Sequence, residues 1–356
     1  MKTIKSASIF IALVLAPGLF LWAQTAPQRT EKPAVKKAAA KPAAKPAAAT
    51  AVRPEQPAAK PAAAPAKAAA DPFNEAVEKL ASKEPAVRRQ GADYLGQSRN
   101  QKAAPHLVKA LADEAAAVRS SAVDGLCQLA SRGSTKAITE ILLLDKDAMV
   151  RQQAASSLSY MADQSAGPAL VKALKDDVPA VRYAAANTLG AMRYAPAEDA
   201  LIDMMDDAST RRVAILALGQ LQSKKAAPGI FKALADQDKY TRLEAVRALG
   251  AIGDQSAAPE LKKRLEKTEE PSVRVEAALA LAKMGLADGL ATAYEFVRSP
   301  DISLKSQSLE VVGVVGDARS LQFIEELYLA EREPVSKSML DFTRQRLAAK
   351  LKALQP

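Results

Sequence analysis

Basic and acidic side chains recur at regular intervals along this chain. A basic residue returns every 29 to 32 residues, at Arg88, Arg119, Arg151, Arg182, Arg211, Arg242, Arg274 and Lys305. An aspartate lies six residues before four of these arginines, at Asp113, Asp145, Asp176 and Asp236. Carboxylates at a fixed distance from arginines would suggest active-site acids and bases. Catalysis needs one site, however, and this pairing returns at nearly every interval.

The pairing instead indicates a structural ladder of charge-assisted hydrogen bonds, which ties the turn between two helices to the next unit of the chain. We predict its members to be Asp113, Arg119, Asp145, Arg151, Asp176, Arg182, Arg211, Asp236, Arg242 and Arg274. The pattern has exceptions. Asp206 lies five residues before Arg211, one residue short, and Ser82, Thr268 and Ser299 replace the acid elsewhere.

Few other residues offer catalytic chemistry. The sequence has one histidine, His106, and one cysteine, Cys127, whereas a catalytic zinc site uses three protein ligands. His106 follows Pro105 in the first turn of a predicted helix, where we expect it to face solvent. Cys127 occupies a position that other units fill with glycine or another small residue, and a reactive thiol is the alternative. We therefore predict no enzymatic activity, no metal and no cofactor.

The segments that contain these eight recurring basic residues are similar to one another and repeat with the same period. One residue before each arginine, and three and seven after it, stand residues such as Val118, Ala122 and Leu126. At about 100° per residue these positions share one side of a helix, which predicts a buried ridge. A shorter apolar pattern opening with proline, as at Pro105, predicts a leading helix before the ridge. A two-helix repeat of this kind, recurring about every 31 residues, indicates an all-α solenoid.

The runs AAPHLVKALADEAAAVRSSAVDGL and GPALVKALKDDVPAVRYAAANTLGAM resemble the HEAT-repeat family, and specifically the short bacterial phycobilisome-lyase HEAT-like repeats. The resemblance covers roughly residues 73–317. It implies a right-handed α-solenoid of about eight two-helix repeats at 72–317 and a degenerate capping repeat at 318–356. The family includes lyases, hydroxylases, adaptors and transport scaffolds, so it specifies no function. Deoxyhypusine hydroxylase, built from similar repeats, binds iron through His-Glu motifs that this sequence lacks.

The N-terminal part differs in composition from the repeats. Residues 1–23 have the layout of a secretory signal peptide, with Lys2 and Lys5 before an apolar run, and an uncleaved anchor is the alternative. Residues 24–71 are rich in Ala, Pro and Lys and hold nine basic against three acidic residues, which predicts a disordered linker. Residues 72–356 hold 39 basic and 37 acidic residues. We therefore expect an exported protein, in the periplasm or cell envelope of a bacterium.

The helix side opposite the ridge is left to face a partner. Its positions, one and five residues after each arginine, change from polar to a mixture of aromatic, aliphatic and basic residues between Tyr183 and Leu279. That mixture is typical of protein-binding surfaces, although the aliphatic members could instead pack between repeats. We predict a protein or peptide site on the concave helix face at Tyr183, Asn187, Arg212, Leu243, Arg247 and Leu279.

Three functions follow from these features. The first is a non-enzymatic protein-protein interaction scaffold. The second is attachment to envelope polymer, anionic lipid or nucleic acid through the cationic segment 24–71, although the export signal argues against nucleic acid. The third, implied by the family resemblance alone, is a lyase-like activity on a bound chromophore or cofactor.

Overall fold

The computed structural model describes residues 71–354. The predicted signal peptide at 1–23, and all but the last residue of the predicted linker at 24–71, lie outside this range. Between residues 72 and 353 the chain forms eighteen α-helices, and no β-strand occurs among the described residues. The helices form nine consecutive pairs, each made of a leading and a trailing helix.

The leading helices are short, apart from the last. They are α1 (Pro72–Lys79), α3 (Ala104–Ala110), α5 (Thr135–Leu144), α7 (Gly167–Ala173), α9 (Glu198–Asp203), α11 (Ala227–Ala233), α13 (Ala258–Lys263), α15 (Leu290–Phe296) and α17 (Ala318–Ala330). In the first eight pairs, each trailing helix carries one of the recurring basic residues, which are seven arginines, called the framing arginines below, and Lys305. They are α2 (Pro85–Gln97), α4 (Ala116–Gln128), α6 (Ala148–Met161), α8 (Pro179–Ala191), α10 (Arg211–Gln220), α12 (Lys239–Ile252), α14 (Pro271–Lys283), α16 (Ile302–Val315) and α18 (Pro334–Ala353).

Proline and aspartate mark where trailing helices begin. Pro179 occupies the first turn of α8, where the missing N–H of proline has no intrahelical partner to lose. Asp238 caps α12, because its side chain accepts hydrogen bonds from the backbone N–H groups of Tyr240 and Thr241. These signals fix the first residue of α8 and α12, and therefore the side of the helix on which every later residue lies.

The trailing helices pack against one another through the predicted ridge. In α4, Val118, Ala122 and Leu126 are fully buried, and burial of one leucine side chain contributes roughly 1.5–3 kcal/mol. A second line of contact involves small residues, because a Cβ atom at Gly96 would collide with the backbone of Gly125 in the next trailing helix. Ridges of large residues and lines of small ones together set the spacing between repeats.

The last pair ends the stack without a framing arginine. Ile324 on α17 and Leu340 and Leu347 on α18 are buried, and α18 packs against α16 as well as α17. None of the described helices is long and apolar enough to cross a membrane. The prediction of an all-α fold built from two-helix repeats is confirmed.

Candidate interaction surface on the trailing helices

The framing arginines pair with acids of the following unit. Arg119 donates from Nε and Nη2 to the two carboxylate oxygens of Asp145, each at 2.7 Å, and both side chains are almost fully buried. Its Nη1 donates to the backbone carbonyls of Asp113 and Glu114 in its own unit. The Asp145 carboxylate also accepts the backbone N–H of Asp147. One arginine thus joins two successive inter-helix turns.

The other arginines make the same kind of connection to one or two acids. The pairs are Arg88 with Asp113 and Glu114, Arg151 with Asp176 and Asp177, Arg182 with Asp207, Arg211 with Asp236, Arg242 with Glu269 and Glu270, and Arg274 with Glu295. All ten residues named for the ladder take part. The hydrogen bond from Arg88 holds the pKa of the Asp113 carboxyl below its usual range. Because arginines already engage these carboxylates, they are not available as acids or bases for a substrate.

Asp206, the acid one residue out of register, pairs with no arginine among residues 71–354. Met204–Asp206 forms a 3-10 turn after α9, and the next residue, Asp207, accepts from Arg182 at 3.2 Å. Asp206 instead lines a cavity of about 440 Å³ among α9, α10 and α11, together with Arg211 and Asp236. The extra turn therefore places the paired acid four residues before Arg211, two positions later than in the regular units.

His106 and Cys127 lack the surroundings of catalytic residues. His106, expected to face solvent, is half-buried, with its ring centre 6.2 Å from that of Phe73 in an edge-to-face arrangement. Burial raises the pKa of the Cys127 thiol to about 12, so the nucleophilic thiolate is scarce at neutral pH. Within residues 71–354, no three His, Cys, Asp or Glu side chains are grouped to hold a metal ion.

Three consecutive trailing helices, α8, α10 and α12, carry predicted partner-binding residues at exposed positions. Tyr183 and Asn187 on α8 are exposed, as are Arg212 on α10 and Arg247 on α12. Leu243 on α12 is half-buried, because part of its side chain packs against the core. An aromatic ring, an amide, two guanidinium groups and part of a leucine are therefore accessible on neighbouring helices.

Leu279 does not belong to this surface, contrary to the prediction. Its side chain is 4% exposed, and residues 273–282 of α14 are all buried. Arg247 from α12 and Gln307 from α16 both donate hydrogen bonds to Glu276 on α14. Long side chains from the two neighbouring helices thus cover the side of α14 that was expected to be free, and the exposed surface ends at α12.

Two buried carboxylates lie at this edge of the surface. Arg247 donates from Nη1 to Glu244 and from Nη2 to Glu276, each over 3.2 Å. Gln307 donates from Nε2 to the same Glu276 oxygen at 3.0 Å. Burial raises the pKa of the Glu244 carboxyl, and the charges of Arg247 and Arg212 oppose this only in part. The second Glu244 oxygen, Oε1, is buried and accepts no hydrogen bond from any described residue.

Two exposed tyrosines on trailing helices, one of them on α6, were not predicted. Tyr160 on α6 is 81% exposed and Tyr240 on α12 is 54% exposed. Tyr160 lies nine residues after Arg151 and Tyr240 lies two residues before Arg242. At about 100° per residue, these positions fall on the same side of the helix as the positions one and five after the arginine. A helical projection of every residue of each trailing helix, and not only of the residues one and five after the arginine, would have predicted them.

The family assignment rests on the whole repeat array. The model of HEAT repeats matches residues 73–159, 135–213, 198–271 and 258–339, which together include most of the chain. The chain belongs to the HEAT-repeat family. The resemblance noted in the sequence is thereby confirmed. HEAT repeats commonly bind protein partners, and this solenoid is consistent with an interaction scaffold.

Solved structures with similar folds belong to varied proteins. The complex of CpcE and CpcF of phycocyanin lyase from Nostoc sp. is 24% identical, over 73% of this chain and 98% of that chain, with a TM-score of 0.40. Escherichia coli YibA is 20% identical over 67% and 91%, with a TM-score of 0.48. Human deoxyhypusine hydroxylase is 19% identical over 68% and 95%, with a TM-score of 0.32. No curated protein sequence matches this HEAT-repeat chain significantly.

Proposed function

We propose that this HEAT-repeat protein is a non-enzymatic scaffold of the cell envelope that binds a protein or peptide through its trailing helices. The proposed contact surface, called the trailing-helix surface below, consists of Tyr183, Asn187, Arg212, Leu243 and Arg247. Four of these residues are exposed and Leu243 is half-buried, on three consecutive helices, and this accessibility is the observation that carries the proposal. Tyrosine and arginine dominate the binding energy of protein interfaces, because they bury large areas and donate directional hydrogen bonds.

A scaffold role also agrees with how the charged residues are used. The repeated acids and arginines bond to one another along the ladder, and the Cys127 thiol is buried. The repeats therefore contribute a surface of fixed spacing rather than a set of reactive groups. The spacing follows from the helix packing, so a partner that contacts α8, α10 and α12 together must match three successive repeats.

The test of the surface uses the full chain and matched substitutions. Proteins captured by the full chain from envelope extracts are identified by mass spectrometry, and the affinity of each purified candidate is measured. Tyr183→Ala, Arg212→Ala and Arg247→Ala in combination should weaken the partner more than about 100-fold, since interface tyrosines and arginines often cost over 1 kcal/mol each. An unchanged affinity would reject the surface.

A second triple variant controls for general damage to the fold. Arg89→Ala, Ser120→Ala and Ser306→Ala change the residue directly after the framing position on α2, α4 and α16. These helices lie outside the proposed surface, so the control variant should bind with the affinity of the unmodified chain. Equal losses in both triple variants would mean that binding reports the state of the whole solenoid and not the proposed site.

Attachment through residues 24–71 is the second candidate function, favoured by nine basic against three acidic residues. Binding to vesicles that contain anionic lipid, or to an anionic envelope polymer, should then fall steeply with salt concentration. Deleting residues 24–70 separates the two candidates. Binding to a protein partner should survive the deletion, whereas binding to the anionic surface should disappear.

Export and cleavage have a simple spectroscopic test. Trp22 is the only tryptophan of the sequence and lies within the predicted signal peptide. A processed protein recovered from the periplasm should therefore show no tryptophan fluorescence, and its mass should lack residues 1–23. Recovery only from the cytoplasm, with Trp22 present, would contradict the proposed export.

A further inference from the structure

Two carboxylates share a single guanidinium group beside the trailing-helix surface. Glu276 is 2% exposed and Glu244 is 9% exposed, and Arg247 bonds to both of them over 3.2 Å. Charge-assisted N–H···O bonds are usually 2.7–2.9 Å long, so Arg247 satisfies neither carboxylate at the usual distance. Gln307 adds a hydrogen bond to Glu276 but adds no charge.

The other cation in the neighbourhood does not complete the balance. Arg212 affects the pKa of Glu244 through its charge, but it acts on Asp238 in the same way. Among the described residues Arg212 forms no ion pair of 4.0 Å or less with either carboxylate. Two buried carboxylates therefore share the one guanidinium group of Arg247, and among the described residues no second cation lies within 4.0 Å of either.

One atom of this group accepts no hydrogen bond from the part of the chain that the structure describes. Glu244 Oε1 is buried and has no partner in the described chain, although buried carboxylate oxygens are normally satisfied because burying them without a donor is costly. A neutral donor would satisfy the atom and leave the charge, whereas a cationic donor would satisfy both. The chemistry of the group thus favours a cation.

We propose that Glu244 and Glu276 form a subsite for one cationic side chain, a lysine or an arginine, of the bound protein or peptide. The proposal rests on the proposed function, because the subsite adjoins the trailing-helix surface. The Arg247 side chain is 43% exposed, so it lies at the solvent edge of the subsite, where the added cation supplements its charge instead of replacing it. The half-buried Leu243 precedes Glu244 in α12, and the half-buried Leu216 occupies on the adjacent helix α10 the position that Arg247 occupies on α12. Both offer apolar surface for the methylene groups of a long basic side chain.

The subsite is tested with single amino-acid probes on the full chain. N-acetyl-arginine amide and N-acetyl-lysine amide are titrated into the protein while the methyl signals of Leu216 and Leu243 are followed by NMR. We expect saturable shifts with both cations and none with N-acetyl-norleucine amide, which has a similar chain without the charge. N-acetyl-citrulline amide, a neutral donor with the shape of arginine, should bind at least about tenfold more weakly than arginine.

Variants then assign the effect to the carboxylates. Glu244→Gln should weaken the arginine probe at least about tenfold, because the charge is lost while the shape is kept. Glu276→Gln serves as a second variant should the first fold poorly, as judged by circular dichroism, and should weaken the probe similarly. Asp93→Asn, which removes a partly exposed carboxylate from α2, should leave binding unchanged.

Three results would overturn the subsite: no shifts with either cation, equal binding of citrulline and arginine probes, or full binding by the folded glutamine variants. Failure of the proposed function looks different. If the Tyr183, Arg212 and Arg247 triple variant loses its protein partner while the probes fail, the surface stands and the cation subsite is rejected. If the probes bind as expected while that triple variant keeps its partner, the subsite stands and the surface is rejected.

Discussion

Replacing Asp145 with asparagine tests the ladder at its most buried pair. The side chains of Arg119 and Asp145 are 6% and 3% exposed, and two hydrogen bonds of 2.7 Å join them. Asparagine keeps an oxygen that can accept the backbone N–H of Asp147. Its amide nitrogen, however, is a donor, so it cannot accept from the second guanidinium N–H, and the Arg119 charge loses its partner.

The expected cost follows from this burial. Removing one partner of a buried ion pair costs about 3–5 kcal/mol, because an uncompensated charge remains in the interior. Since asparagine preserves part of the bonding, we expect a loss of about 3 kcal/mol. Asp207→Asn is the matched control, because its contact with Arg182 is a single bond of 3.2 Å and the aspartate is 49% exposed. Exposed pairs contribute about 0.2–1 kcal/mol.

Urea unfolding followed by circular dichroism gives the free energies, and hydrogen exchange locates the change. Exchange is needed because repeat proteins can unfold in parts, so that one global transition does not describe them. Exchange should increase in the turns around Asp113 and Asp145, which Arg119 joins. If Asp145→Asn costs no more than Asp207→Asn, or if exchange rises uniformly along the chain, the ladder does not hold successive units together as described.

Three further predictions concern packing, reactivity and pH. Gly96→Ala should destabilise the chain by about 1–3 kcal/mol, because the new methyl group meets the backbone of Gly125. Gly133→Ala is the control and should change stability by less than about 1 kcal/mol, because no atom lies within 4 Å of the added carbon. Urea unfolding measures both free energies. Cys127, with a pKa raised to about 12 by burial, should react with a thiol reagent only after unfolding, and rapid labelling of the native protein would contradict this. Glu244→Gln should raise the free energy of unfolding at neutral pH, since burial raises the pKa of this carboxyl above 4.5 and so penalises its charged form. The gain should shrink as the pH falls through that raised pKa toward 4.5, where the natural carboxyl is protonated as well; a gain that grows on acidification would contradict the sign.

The recurring pattern of the sequence predicts the repeat architecture because the relevant contacts are local or separated by one period. Val118, Ala122 and Leu126 share one side of a helix whatever the neighbouring helix contains, and all three are buried. The pairing of Arg119 with Asp145 follows equally from the period, since both residues stand at fixed positions in successive units.

The details of the surface depend on contacts that the period does not fix. Leu279 occupies a position equivalent to the exposed Asn187, yet side chains reaching from α12 and α16 cover its helix. Whether such side chains meet depends on their length and charge at positions about a repeat apart. Asp207 replaces Asp206 in the ladder for a different reason, because a 3-10 turn precedes α10 and the paired acid lies four residues before Arg211 instead of six.

The charged connections between units are not distributed evenly along the described chain. They run from Arg88 to the pair of Arg274 with Glu295, whereas Lys305 donates only to the hydroxyl of Ser336, at 2.8 Å. Among the described residues, the units at the C-terminal end are therefore fastened to their predecessors by apolar packing and by hydrogen bonds from lysines to neutral oxygens, without an arginine–carboxylate pair. Under a pulling force or gradual heating, unfolding would begin at α17 and α18 and stop at the ion pair of Arg274 with Glu295. The C-terminal helices would then be unfolded while α8, α10 and α12 keep their spacing.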